Sequence, residues 1–229
     1  MMARQERAIR TRQKILVAAA EVFDEVGYEA TTISEILKRS EVTKGAFYFH
    51  FTSKEEIAQL ILAEQVTAIP PIRPQDLALQ EAVDEALLLA YLLRSGDARV
   101  RGSVRLTVEQ GSFQDGLDRR VPMQGWISRS AELFEKAKAN GELVPHVDVE
   151  LIAKLFVGCF TGVQILSNIM TRHEDMLERV SELYRHLMAT IAVPGVLIRL
   201  EFTPERAQRV YEAAAAHGRS GSREVDELV

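Results

Sequence analysis

The string EVTKGAFYFHFTSKEEI, residues 41–57, sets Lys44, Gly45, Tyr48, His50 and Lys54 close together in the chain. A cation, a glycine that permits close backbone approach, and side chains with polar tips suit the phosphates and base edges of a duplex groove. The chemistry on offer is hydrogen bonding to an anion, not bond breaking. Sets able to break bonds are not found elsewhere. GxSxG, Walker-type and GxGxxG patterns are absent. His146, His173, His186 and His217 are scattered, and the pair His173–Glu174 has no second ligand pair nearby, so it reads as a cap or surface feature and not as a metal site. No cofactor and no enzymatic activity are expected.

Positioning these side chains requires deciding what the aromatic string is. Phe47, Tyr48, Phe49 and Phe51 are β-preferring residues, but a strand here would lie alone between helices with nothing to pair. Helical signals flank it on both sides. Thr32 with Glu35 forms one capping box and Ser53 with Glu56 a second. Between them the pattern predicts short helices over 33–40 and 44–50, joined by Glu41-Val42-Thr43, with Thr43 as N-cap of the second. Two helices so joined make a helix-turn-helix. Helical spacing then separates the aromatics: Phe47 and Phe51 turn inward with Ile36, Val42 and Ile57, while Lys44 and Tyr48 share another face. A preceding helix over 7–26 carries Ile9, Gln13, Leu16, Ala20 and Phe23 on one stripe and stops at Gly27.

Whole-chain properties agree with this local reading. The 229 residues are 47% hydrophobic and carry a net charge of −5, so nucleic-acid binding demands a local basic patch. Residues 38–54 hold Lys38, Arg39, Lys44 and Lys54 against Glu41, a balance of +3. Residues 1–14 hold Arg4, Arg7, Arg10, Arg12 and Lys14 against Glu6, a balance of +4. Positive charge thus gathers in one small domain of an acidic chain, as a DNA reader requires. One cysteine, Cys159, lies in an apolar run and reads as buried; it fits a reducing cytoplasm. The charged stretch 1–14 is no signal peptide, and no apolar run is read as reaching the length of a membrane span. The fold class is all-α. The prolines of PPIRP (70–74) divide a DNA-binding domain with its connecting helix, 1–67, from a second helical domain, 68–217, followed by a polar and disordered tail, 218–229. Long amphipathic segments are expected over 76–94, 98–112, 123–140, 148–170, 174–192 and 204–217.

The segment TTISEILKRSEVTKGAFYFHFTSKEEI resembles the DNA-binding signature of TetR-family repressors. The resemblance implies that Lys44 and Gly45 approach base edges and that Thr43, Tyr48, His50 and Lys54 hold phosphates, with Thr32 and Ala46 completing the DNA-facing set. The chain departs from the family at Glu41, where glycine is usual in the turn. If φ is positive there, the substitution costs about 1 kcal/mol, and its charge opposes a phosphate.

MARQERAIRTRQKIL, GLDRR, AKANGELVPHVDVE and IAVPGVL further resemble the γ-butyrolactone receptor subgroup of that family. This resemblance implies an apolar chamber for a lactone or butenolide, with Trp126 in its wall and Gln65 and Thr161 as polar contacts. It also implies a regulator of antibiotic production and development. By the same resemblance, the acidic pI of about 5.7 favours a true receptor over the related pseudo-receptors; a pseudo-receptor or drug-sensing repressor stands as the alternative. A homodimer is expected, joined through the segments 148–170 and 174–192, on a pseudo-palindromic operator. The helix from Lys54 to Gln65, about 16 Å long at 1.5 Å per residue, is expected to link operator and chamber.

Overall fold

The computed structural model describes residues 2–109 and 115–226, with side chains described for 5–109 and 115–216. These residues form two compact units. The first runs to Ala68 and takes in Gly96–Pro122; the second holds Ile69–Ser95 and everything from Met123. Eleven helices are found among the described residues, and no strand; the lone bridge is Leu143–Ala192.

The first unit contains α1 (Met2–Ala30), α2 (Ile33–Ser40), α3 (Lys44–His50), α4 (Lys54–Ala63) and α6 (Ala98–Val108). Its core gathers Ile15, Leu16, Phe23, Ile36, Phe47, Phe51, Ile57, Leu62 and Leu106, with Val42 packed against it. Phe47 and Phe51 are 0% and 2% exposed; burying each contributes about 1.5–3 kcal/mol, enough to overrule the β preference of the aromatic string. On α1 the expected stripe holds for Leu16, Ala20 and Phe23, whereas Ile9 and Gln13 are exposed.

Sequence reading put 98–112 in the second domain, and the structure assigns α6 to the first. The reason is backbone proximity. A Cβ added to Gly102 would sit 2.2 Å from the Ala20 carbonyl oxygen, so α6 lies directly on α1 where only glycine fits. Of the expected segment 98–112, residues 110–112 lie outside the described set.

The second unit holds α5 (Ala78–Ser95), α8 (Val149–Thr171), α9 (Met176–Ile191), α10 (Pro194–Leu197), α11 (Pro204–Asp226) and, from Met123, the body of α7 (Arg120–Ala139). α5 is buried almost all round, including Gln80, Glu81 and Asp84. A buried charge needs a partner, and each finds one. Arg206 holds Asp84 through two bonds of 2.5 and 2.8 Å. Lys136 holds Glu81 at 2.8 and 2.9 Å. At the N-terminus of α5, Glu142 accepts the otherwise orphaned amides of Ala78 and Leu79, both at 2.9 Å.

Several expected boundaries move. α10 follows Val193 with proline at its first position, as the fixed φ of proline favours; it falls between the expected segments 174–192 and 204–217. α11 continues to Asp226, so 218–226 is helical where a disordered tail was expected; the alanine run 213–216 lies upstream in the same helix. Residues 227–229 lie outside the described set. α8 also corrects the membrane reading: its 23 residues are long and apolar enough to span a bilayer by length and composition. Gly158, Thr161, Gly162, Gln164 and Ser167 interrupt the run and disguised it in the sequence. Cys159, expected inside, is only partly buried.

Candidate nucleic-acid interface and ligand residues

The turn between α2 and α3 is built from caps. Thr32 accepts the Glu35 amide at 3.2 Å, and the Glu35 carboxylate returns the bond to the Thr32 amide at 2.9 Å. These bonds hold the Glu35 carboxyl below its usual range. Ser40 donates back to the Ile36 carbonyl at 2.7 Å. Glu41 then adopts φ 54°, ψ 35°, the left-handed conformation that the glycine departure raised as a question. Thr43 caps α3 by accepting the Ala46 amide at 3.2 Å. At Ser53 the box differs from expectation: Ser53 accepts the Glu56 amide, but Glu56 reaches one residue further back, to the amide and hydroxyl of Thr52 at 2.6 and 2.7 Å.

These caps leave α3 with two unlike faces. Phe47 points into the core, while Thr43, Lys44, Gly45 and Tyr48 are exposed and Ala46 and His50 half-buried. A Cβ on Gly45 would touch nothing, so backbone there is open to close approach. The Lys44 ammonium lies 6.0 Å from the centre of the Tyr48 ring, at the edge of cation–π range. Thr32 is exposed at the start of α2. Sequence reading missed Phe49, which is 76% exposed and meets the His50 ring edge-on at 5.0 Å. Its i,i+4 relation to Gly45 was the available signal.

Two charges counted in the basic patch are engaged within the fold. Arg39 forms a two-bonded pair with Glu25 at 2.5 and 2.7 Å and approaches Glu21 at 3.6 Å. Lys54, expected on phosphate, donates to the carbonyls of Tyr28 and Thr31 at 2.7 and 2.9 Å, with the Glu29 carbonyl at 3.5 Å. It also lies 4.3 Å from the centre of the Tyr28 ring. Its ammonium therefore caps the end of α1, where the last carbonyls lack helical partners.

The three residues expected to contact a ligand fall in different units. Gln65 belongs to the first; it lies beyond the end of α4 at Ala63, in the following turn, so it is not on the helix that carries Lys54. It is 4% exposed, and its Oε1 accepts the Thr107 hydroxyl of α6 at 3.4 Å. Trp126 and Thr161 belong to the second, on α7 and α8. Trp126 is half-buried well inside its helix, and Thr161 donates to the Val157 carbonyl at 2.8 Å. A cleft of about 130 Å³ between α1, α4 and α6 includes Gln13, Ile61 and Ser103. It is below the roughly 300–1,000 Å³ of ordinary ligand pockets.

An exposed, capped second helix over an aromatic core, joined in one chain to a larger helical unit, defines a helix-turn-helix DNA-binding regulator. The comparisons narrow the class. The family described as "Bacterial regulatory proteins, tetR family" matches residues 15–61. The chain is 40% identical over 200 residues to the A-factor receptor protein of Streptomyces griseus, covering 87% of this chain and 70% of that protein. It resembles the crystal structure of full-length native TylP, a TetR regulator from Streptomyces fradiae, at 60% identity and a TM-score of 0.87, over 91% of this chain and 99% of TylP. It also resembles the crystal structure of a γ-butyrolactone receptor (ArpA-like protein), at 26% identity and a TM-score of 0.65, over 89% and 98% of the two chains. The chain belongs to the TetR family: it is a ligand-responsive transcriptional repressor and not an enzyme.

Proposed function

We propose that the repressor binds a pseudo-palindromic operator as a homodimer in the cytoplasm and leaves it on binding a γ-butyrolactone or butenolide, thereby controlling antibiotic production and development. The identity to the A-factor receptor along 87% of the chain carries this reading. Thr32, Thr43, Lys44, Gly45, Ala46, Tyr48, His50 and Lys54 are the proposed DNA contacts, Lys44 facing base acceptors such as guanine O6 and N7 and Lys54 dividing its ammonium between phosphate and the carbonyls of Tyr28 and Thr31. Trp126, Thr161 and Gln65 are the proposed ligand contacts.

The dimer reading has support on α8. Leu151, Leu155, Ile165, Leu166, Ile169 and Met170 are exposed there by 37–71%, along a face that also bears Gly158 and Gly162. Such a stripe favours a second apolar helix, and a four-helix interface with the partner's copies of α8 and α9 would cover it. Release is proposed to pass through the Gln65–Thr107 contact to α4, with a coupling of about 1–3 kcal/mol per ligand.

The test is displacement of operator DNA by chromatographic fractions of lactones, of butenolides and of antibiotics, with mass spectrometry of what the protein retains. Release by the lactone or butenolide fraction supports the reading. Release by antibiotics alone would assign the protein to the drug-sensing alternative. Gln65→Ala is expected to uncouple release from binding; unchanged ligand affinity and unchanged release would remove Gln65 from the mechanism.

A further inference from the structure

α6 grips α1 at a break in that helix. Gly27 leaves helical geometry at φ 80°, ψ 173°. An uninterrupted helix would pair the Tyr28 amide with the Asp24 carbonyl, four residues back. Side chains of α6 and its C-cap engage both groups. The Tyr28 amide donates to Glu109 Oε2 at 3.0 Å, and the Arg105 guanidinium donates to the Asp24 carbonyl. Arg105 and Glu109 are one turn apart, so a single donor–acceptor pair bridges the gap in α1. The fit is close: a Cβ on Gly27 would lie 2.2 Å from Glu109 Oε1.

Past the break, the chain leads straight to the DNA-facing elements. Thr31 donates to the Gly27 carbonyl at 2.6 Å, Lys54 holds the carbonyls of Tyr28 and Thr31, and Thr32 opens α2 as its N-cap. α6 itself lies in Gly96–Pro122, the stretch of the first unit whose chain comes from the second unit and returns to it.

We propose that Arg105 and Glu109 are positioning residues for operator binding: by clipping the α1 break they set where α2 and α3 stand relative to α6. Neither needs to touch DNA. The proposal rests on the operator-binding role already assigned to the chain.

Operator affinity is measured with the duplex that the wild-type protein enriches from a randomised library, beside thermal midpoints and amide exchange of Tyr28. Glu109→Ala is expected to weaken binding on the order of tenfold, the lower end for removing a charged acceptor, because the bond to the Tyr28 amide is only part-buried. It should also speed Tyr28 exchange. Glu109→Gln keeps a side-chain carbonyl and is expected to restore both. Unchanged operator affinity in Glu109→Ala with a lowered thermal midpoint would make the clip a support of the fold alone and overturn the proposal, as would failure of Gln to rescue. If Glu109→Ala does not fold, Arg105→Lys and Arg105→Met carry the comparison. A tenfold loss only in Met, on the same scale, supports the clip, and equal affinities overturn it. A wild type that enriches no duplex would instead overturn the operator-binding reading beneath.

Discussion

Replacing Lys54 with methionine separates two roles that compete for one ammonium group. The side chain gives well-formed bonds to the Tyr28 and Thr31 carbonyls and lies over the Tyr28 ring. Methionine keeps most of the apolar stem and removes the donors. A hydrogen bond from a charged group contributes about 1.5–3 kcal/mol net. Two of them, discounted because Lys54 is half-exposed, leave about 2–3 kcal/mol. For a chain of this size each kcal/mol moves the thermal midpoint by about 2–4 °C, so Lys54→Met is expected to lower it by roughly 5–10 °C at fixed protein concentration. The assay pairs thermal unfolding with operator affinity over a range of salt. A lysine serving phosphate alone predicts something different: an unmoved midpoint, and a slope of log affinity against log salt reduced by about 0.9. That second pattern would refute the capping role.

Three further outcomes rest on particular residues. Glu41→Gly relieves a left-handed φ of 54° and is expected to stabilise the protein by about 1 kcal/mol, while removing a carboxylate near α3 should tighten operator binding; a lower thermal midpoint would contradict it. Gly102→Ala forces a methyl against the Ala20 carbonyl, a backbone group that cannot swing aside. It is expected to cost about 3 kcal/mol or more, seen as a lowered urea midpoint, and wild-type stability would show the α1–α6 approach to be looser than the geometry requires. Asp175 is held at about pKa 2, chiefly by the hydroxyls of Ser167 and Thr171, with Arg179 adding to the effect. Because its folded pKa lies below the ordinary 3.8, the stability it adds is present above about pH 4 and is lost as pH falls toward 2. Asp175→Asn should therefore flatten the acid limb of the stability curve; an unchanged limb would contradict the assignment.

Local structure was largely legible in the sequence because it rests on short-range rules. Thr32–Glu35 and Thr43 announced two helix starts, and helical spacing sent Phe47 and Phe51 inward, where both are buried. Long-range partners were not legible. Lys54 counted as a free cation in the sequence, yet its acceptors lie some two dozen residues away, at and just beyond the last turn of α1. Arg39 likewise met Glu25 across α1. The return of α6 to the first unit depends on Gly102 lying against Ala20, a contact no local pattern encodes. The length of α8 was legible, since 148–170 was expected and Val149–Thr171 is found, but glycines and small polar residues masked how apolar the helix is as a whole. Among the proposed ligand contacts, Gln65 moved from a helix to the turn beyond it because α4 ends at Ala63.

The central claim is that α3 grips an operator only while the protein is free of its signal. Fluorescence anisotropy of the enriched duplex, followed at constant salt as a lactone or butenolide fraction is added, tests it most directly when mass spectrometry records ligand on the same protein. The account predicts that anisotropy falls as the protein fills. A duplex that stays bound to fully liganded protein would contradict it.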